Sequence, residues 1–324
     1  MLRLICLMTL FGLLSGPLRA IVVASGNPDS APIAVAYSNR IVTGIGQTVD
    51  LSGVVNIGNC SGSLLSDGYS ILTAGHCVTP FFGGPLPSSI TVNFLGPDGI
   101  VEDTSNTYSI YPGWNGTSEQ GDDLAVIRLT QAAPSFAARY SLYTGAFITS
   151  PILLAGYGMT GVGATGCCGF GTLRQGQNRY DTTGAAPALG WSANMLVGDF
   201  DNGTATNNAL GPRDSDIPNE VDIAAGDSGG PSFYNGLLIG VHDLTACFED
   251  PSNSDNCAVP PDGPAASTSL NSAFGQLFAD TSVSAHASWI QSQEEVPEPA
   301  SFSLVLLGLS VAGFLGDRAS RRRS

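Results

Sequence analysis

The sequence predicts an all-β protein assembled from short strands. It has 324 residues with 41 glycines and 20 prolines, and 12% of its residues are charged, about half of the share in ordinary globular proteins. This composition favours many turns and short strands over long helices. Residues 90–94 alternate apolar and polar side chains, as a strand with one buried face does, and turn signals follow at 97–99.

Each strand is predicted from a short apolar run between turn residues. These runs cover residues 51–57, 63–65, 69–73, 90–94, 124–129, 151–155 and 237–241. Val283, Ala287 and Ile290 recur at the spacing of one helix face, which predicts a short helix there. The expected body is a succession of strands that ends in one helix.

Residues 1–24 have the pattern of a secretory signal peptide. Arg3 precedes an apolar run at 4–14, and small residues follow at Ala20 and Ala24. The run has eleven residues, whereas a membrane-spanning helix requires about 20. Residues 25–40 are polar and are expected to form a propeptide or a flexible lead.

The body of the chain is strongly acidic. Six arginines and no lysine accompany 25 acidic residues between positions 21 and 295, and the formal net charge of the whole chain is −15. Such a surface repels phosphate groups. We therefore expect no nucleic-acid partner and no attraction to an anionic membrane surface.

A glycine-rich hexapeptide, Gly226-Asp227-Ser228-Gly229-Gly230-Pro231, is the strongest chemical signal in the chain. Serine is a weak nucleophile at neutral pH, so it requires a base and donors for the oxyanion that its attack creates. Glycines on both sides permit a tight turn that directs the N–H groups of Gly226 and Ser228 at one point. The hexapeptide therefore predicts a nucleophilic serine beside an oxyanion hole.

Two kinds of hydrolase carry a serine in such a turn, and the order of its partners distinguishes them. An α/β-hydrolase would need its acid and its histidine after Ser228, and the histidines in that part of the sequence are His242 and His286. Upstream, the segments 72–77 (Leu-Thr-Ala-Gly-His-Cys) and 122–127 (Asp-Asp-Leu-Ala-Val-Ile) supply a histidine and then an aspartate. In this order the three segments resemble the trypsin-like (chymotrypsin-type) serine proteases over about residues 41–291.

The resemblance implies a fold and a set of roles. The fold would be two antiparallel six-stranded β-barrels, at 41–140 and 141–293, with a short C-terminal helix in the second. His76 would be the general base, Asp123 would orient it, and Ser228 would be the nucleophile. Asp122 is the rival of Asp123, but the family places its acid directly before the Leu-Ala-Val strand. No metal or other cofactor is expected.

Six cysteines remain after Cys6 leaves with the signal peptide. Exported chains oxidise, so disulfides are expected. The resemblance implies a pair between Cys60 and Cys77, which flanks the histidine. Cys247 and Cys257 would close an acidic loop, and the partners of Cys167 and Cys168 stay open.

Two further acids precede the serine. The segment Arg40-Ile41-Val42 resembles the activation junction of trypsin-like zymogens, which implies that an amine freed at Ile41 pairs with Asp227. Asp222 lies six residues before Ser228, where relatives that cleave after arginine or lysine carry a pocket acid. The alternatives are an ordinary exposed strand at Ile41 and a loop acid at Asp222.

The C-terminal residues 294–324 resemble a PEP-CTERM sorting signal. Val296-Pro297-Glu298-Pro299 precedes an apolar run at 300–316 and a terminal arginine cluster. The resemblance implies export from a Gram-negative bacterium, transient anchoring of the tail in the inner membrane, and an exosortase as partner; a plain membrane anchor is the alternative.

The sequence as a whole predicts an exported serine endopeptidase. Its substrates would be proteins or peptides, and the membrane would be contacted only through the terminal segment. It would finally reside at the cell surface or outside the cell. The alternative is a catalytically inactive relative that binds a partner at the cell surface or in the matrix.

Overall fold

The protein was analysed as a computed structural model that describes residues 4–6, 21–25, 27, 29, 33–79, 85–164, 166–204, 207–211, 217, 220–250, 253–257 and 270–294. At 4–6, 168–170, 249–250 and 253–256 it describes the backbone. The predicted transmembrane segment and the sorting tail lie outside these residues, as does the side chain of Cys168.

Strands account for most of the regular structure. They are β1 (Leu4–Cys6), β2 (Ile21–Val23), β3 (Ile41–Gly44), β4 (Gln47–Asp50), β5 (Val54–Asn56), β6 (Ser61–Leu64), β7 (Ser70–Thr73), β8 (Ile90–Gly96), β9 (Gly99–Ser105), β10 (Thr107–Ile110), β11 (Ala125–Arg128), β12 (Ile152–Gly156), β13 (Met159–Val162), β14 (Gly166–Phe170), β15 (Arg174–Asn178), β16 (Thr182–Thr183), β17 (Met195–Asp199), β18 (Val221–Asp222), β19 (Pro231–Tyr234), β20 (Leu237–Asp250), β21 (Asn253–Cys257) and β22 (Leu277–Ser282).

Helical structure is short. Single turns of 3₁₀ helix cover Tyr37–Asn39, Leu51–Gly53, Gly75–Cys77 and Ser118–Gln120, and α1 covers Val283–Gln293. The Ser282 side chain caps α1 by accepting from the N–H of Ala285. The helix buries Val283, His286 and Ile290, which include two of the three positions that predicted it.

Two large antiparallel sheets form the body. A seven-stranded sheet has the order β10-β11-β7-β6-β5-β8-β9, and a nine-stranded sheet has the path β15-β12-β19-β20-β22-β17-β16, with β1 and β21 paired to β20. The smaller sheets are β14-β13-β2-β18 and the hairpin β3-β4. The predicted all-β class with one short terminal helix is confirmed, although the two main sheets have seven and nine strands instead of six each.

The sheets enclose their apolar side chains as the alternating patterns require. In β8, Ile90, Val92 and Phe94 point inward and are buried, while Thr91 is exposed. They pack in the interior of the seven-stranded sheet, and a separate cluster around Ile152, Leu154, Tyr180, Ile239 and Phe278 fills the other. Among the described residues, no helix is both long and apolar enough to cross a membrane.

Parts of the expected leader (1–24) and propeptide (25–40) pack on the folded body, and the limits of these two segments stay a prediction. Ile21, Val22 and Val23 are fully buried and form a strand between β13 and β18, so they belong to the folded body. Val35 is also buried, and its N–H donates to the Leu173 carbonyl at 2.8 Å. Apolar burial therefore holds a stretch that its polar composition had marked as a flexible lead.

Both predicted disulfides, Cys60–Cys77 and Cys247–Cys257, are present, with sequence separations of 17 and 10. Closing loops of these lengths restricts the unfolded chain to a similar degree. We expect that replacing either pair by serine lowers the free energy of unfolding by about 3 kcal/mol, measured by urea denaturation. A loss confined to one of the pairs would contradict this, and the Cys167→Ser variant controls for the removal of a thiol.

Candidate active site

His76 and Asp123 meet at one edge of the seven-stranded sheet. Strands β7 and β11 are antiparallel neighbours, and Thr73 lies opposite Ala125. His76 follows Thr73 by three residues and Asp123 precedes Ala125 by two, so the two side chains converge. The backbone N–H of His76 donates to Asp123 Oδ1 at 2.7 Å, and Nδ1 of its ring bonds to Oδ2. Asp123 is fully buried, so its carboxylate is held by the histidine in a dry environment.

Close approach at this edge requires a glycine. A Cβ on Gly75 would lie 2.9 Å from Asp123 Oδ1 and 3.0 Å from the Trp114 ring. Any larger residue would push the acid away from His76. The Ala-Gly-His-Cys sequence thus has a steric reason beside its chemical one.

The rival acid, Asp122, has a different partner. Its Oδ1 lies 2.9 Å from Nε2 of His286, which α1 presents, and Nδ1 of His286 bonds to the Ser282 carbonyl at 2.8 Å. The two neighbouring aspartates thus serve two histidines. The structure brings Asp123, and not Asp122, to His76.

The turn at 226–231, which carries Ser228, packs against the 3₁₀ turn Gly75–Cys77, which carries His76. The Ser228 carbonyl accepts from the Ser61 N–H at 2.8 Å and lies 3.6 Å from Cys77 Sγ. A Cβ on Gly229 would come within 2.1 Å of Thr73 Oγ1 at the end of β7, which shows how closely the two segments approach. Ser228 is therefore positioned beside the turn that carries His76.

Two N–H groups of this turn are available for a ligand. The N–H groups at positions 227, 229 and 230 donate to backbone carbonyls at 2.7 to 2.9 Å. Those of Gly226 and Ser228 have no acceptor within the part of the chain that the structure describes. Gly226 adopts φ +95°, which a residue with a side chain rarely tolerates. The pair has the composition of an oxyanion hole.

Asp227 points into the body instead of towards Ser228. It accepts from the N–H groups of Gly158 at 2.8 Å, Ala224 at 2.9 Å and Ile21 at 3.4 Å. Burial raises the pKa of Asp227 to about 6, although the amide donors and the nearby His242 oppose that shift. A buried carboxylate with this pKa lacks a fully compensating cation.

The predicted pairing of Asp227 with an amine freed at Ile41 stays a prediction, because in the structure the chain is intact between Arg40 and Ile41. Ile41 is 57% exposed on the β3-β4 hairpin, where Arg40 binds Asp50 at 3.2 Å. The segment that reaches Asp227 begins at Ile21 instead. The sequence does hold a signal for it, because Ile-Val-Val follows directly on the small residue Ala20 at the end of the leader pattern.

Asp222 lies at the end of β18 and is fully buried. Neither of its carboxyl oxygens makes a hydrogen bond of good geometry with a donor among the described residues, and the nearby Ile223 amide favours its ionised form. Burial raises the pKa of Asp222 well above its ordinary value, opposed by that amide and reinforced by the charges of other buried acids. Such a carboxyl is a site that a cation would stabilise.

Two buried acids near the site were not predicted from the sequence. Asp280 accepts from Nδ1 of His242 at 2.9 Å and from hydroxyls of Tyr180 and Ser232. Asp243 brings a carboxyl oxygen within 4.8 Å of ligating atoms of both His76 and Asp123.

Family models match two parts of the chain. A family model described as Trypsin matches residues 46–260, and one described as the PEP-CTERM protein-sorting motif matches residues 295–323. No curated protein sequence matches the chain.

Solved structures share the fold. Neuropsin, a serine protease expressed in the limbic system of mouse brain, aligns with a TM-score of 0.52 and 18% identity over 79% of this chain and 98% of its own. At that identity the likeness establishes the fold alone. The prediction of a trypsin-like fold is confirmed.

Proposed function

The chain belongs to the trypsin family of serine proteases, and on this premise we propose that it is an exported serine endopeptidase with the triad His76, Asp123 and Ser228. The observation that carries the proposal is the paired His76 and Asp123 next to a turn whose Gly226 and Ser228 N–H groups have no acceptor among the described residues.

In the proposed reaction, Ser228 Oγ attacks the carbonyl carbon of a peptide bond while His76 Nε2 takes its proton. The N–H groups of Gly226 and Ser228 donate to the oxyanion. His76 then returns the proton to the leaving amine, which departs and leaves an acyl ester on Ser228. Water hydrolyses the ester by the same proton transfers, and Asp123 stabilises the imidazolium in both halves.

The buried carboxyl of Asp222 supports a preference for arginine or lysine before the cleaved bond. It has no donor among the described residues, so a substrate cation would supply the missing charge. Since the chain contains no lysine, no internal ammonium side chain can fill this role.

Maturation is a further part of the proposal, with Ile21 as the functional N-terminus. Ile21 has φ +60°, a strained conformation for a β-branched residue, while its N–H faces Asp227. Cleavage of the Ala20–Ile21 bond removes the restraint on φ and turns this N–H group into an ammonium beside the carboxylate. Because Ala20 fits the small residue at a leader cleavage site, removal of the leader itself would complete the site.

The two ends of the chain support the proposed route. The leader would direct export, and the PEP-CTERM motif at 295–323 would be recognised by an exosortase after transient anchoring in the inner membrane. The catalytic body would then act on protein substrates at the cell surface or outside the cell.

We expect Ser228→Ala to lower kcat/KM on peptide substrates by roughly 10⁴ to 10⁶, the general cost of removing a triad nucleophile, with the fold retained. Asp123→Asn should cost about 10⁴, since the wrong imidazole tautomer results. Asp122→Asn is the matched control and should change stability by about 1 kcal/mol at most.

A fluorophosphonate probe should label Ser228. A folded mature protein that never labels would support the inactive binding module instead.

We expect Asp222→Asn to reduce cleavage after arginine by roughly 10² to 10³, because a buried substrate cation loses its partner. A peptide library read by mass spectrometry measures this, with cleavage after leucine as the internal control. An unchanged profile would assign Asp222 to loop structure alone.

We expect the exported protein to begin at Ile21 when its N-terminus is sequenced. A chain that starts at Ile21 should exceed one with Ala20 in front by roughly 10² to 10³ in kcat/KM, since the extra residue displaces the cation. Without lysine, the N-terminus is the single primary amine, and in the native protein it should resist acetic anhydride until urea is added. Equal activity of the two chains would contradict the assignment.

The same two chains provide a pH test. In the Ala20-extended chain the folded state holds the Asp227 proton up to about pH 6, whereas the unfolded state releases it near pH 3.8. Stability therefore falls as pH rises through this window, by about 3 kcal/mol. The Ile21 chain should lack this fall in urea unfolding, because its ammonium favours the ionised acid.

A further inference from the structure

A β-bulge directs Asp243 towards the His76–Asp123 pair. Along β20 and β22, His242 lies opposite Asp280 and Leu244 lies opposite Ala279, so Asp243 is the additional residue without a cross-strand partner. Bulges of this kind re-aim a side chain that regular pairing would place elsewhere. As a result, the Asp243 carboxyl group is 5% exposed and has an oxygen within 4.8 Å of a ring nitrogen of His76 and of a carboxylate oxygen of Asp123.

The contacts of Asp243 are incomplete for a carboxylate. Oδ2 accepts from Thr281 Oγ1 at 2.9 Å, whereas the buried Oδ1 has no hydrogen-bond donor among the described residues. Asp123, in contrast, has both oxygens engaged by His76. The better-solvated negative charge therefore belongs on Asp123.

Two carboxylates in one dry pocket cannot both ionise at low cost. Burial raises the pKa of Asp243 well above its ordinary value, and the negative charge of Asp123 raises it further, against the lowering effect of the Ser118 and Thr281 hydroxyls. Among the described residues, the titratable groups that face it are Asp123 and His76.

We propose that Asp243 is a positioning residue for the triad: a neutral carboxylic acid whose O–H donates to the Asp123 carboxylate. The donor fixes Asp123 without adding a second negative charge next to the imidazole. The pair of acids with His76 then carries a net charge of −1 at rest and 0 when the imidazolium forms. This role rests on the proposed function, in which Asp123 orients His76.

Asp243→Asn and Asp243→Leu separate this role from simple packing. The asparagine amide is neutral and can still donate, so we expect kcat within about threefold of wild type; leucine cannot donate, so kcat should fall by about tenfold or more with KM unchanged. Asp103→Leu is the control, because Asp103 is a buried acid that accepts from Thr130 in the other sheet. Rates are compared per active site titrated at Ser228.

The charge of Asp243 has its own readout. If Asp243 were ionised, Asp243→Asn would remove a negative charge beside His76. The acidic limb of the kcat/KM pH profile would then move to lower pH by about one to three units. We expect no such movement. A shift of that size, or equal losses in the asparagine and leucine variants, would overturn the proposal.

Infrared difference spectroscopy tests the proton without any substrate. The wild type at neutral pH should show the C=O band of a protonated carboxylic acid that Asp243→Asn lacks, in addition to any band lost in Asp222→Asn. Lack of this band would overturn the neutral acid even in an active enzyme. An inactive protein that shows the band would instead refute the proposed function and leave Asp243 assigned as a donor.

Discussion

The constraint on which this site depends is the burial of negative charge in a chain without lysine. Asp123, Asp222, Asp227, Asp243 and Asp280 are all within 5% of complete burial. Leaving a carboxylate unpaired in such surroundings costs several kcal/mol, so each acid requires a donor, a cation or its own proton. The arrangement of the site follows from how the fold meets this requirement at each acid.

The solutions differ, and the differences define roles. Asp123 and Asp280 are each offset by a histidine, and Asp227 by backbone N–H groups that leave it with a pKa of about 6. Asp243 can keep its proton because Asp123 is ionised next to it. Asp222 alone has no described donor at either oxygen, and a vacancy of that kind is what a cationic substrate would fill.

Local sequence patterns were sufficient to predict those site residues whose surroundings are set by their neighbours in the sequence. His76 and Ser228 stand in short motifs whose glycines the geometry demands, and Asp123 lies two residues before a strand with a clear apolar pattern. The contact of Ile21 with Asp227 was not predicted, because an Arg-Ile junction such as the one at Ile41 is a local pattern, whereas this contact depends on burial across 206 residues of sequence. Asp243 could not be predicted because a bulge in strand pairing, which no periodicity reveals, determines its direction.

Strand β2 connects the turn at 226–231 to Asp222. Ile21 faces Asp227, and in the next position Val22 pairs with Asp222, while Val23 pairs with Val221. In the order β14-β13-β2-β18, β2 is the partner that β18 has in this sheet, so its removal would leave Asp222 on an unpaired strand. Water would then reach the carboxyl, and the desolvation that makes it receptive to a cation would be lost. Under the proposed function, the segment that completes the oxyanion hole is therefore the same one that keeps the specificity acid dry, so a loss of order in β2 would disturb both.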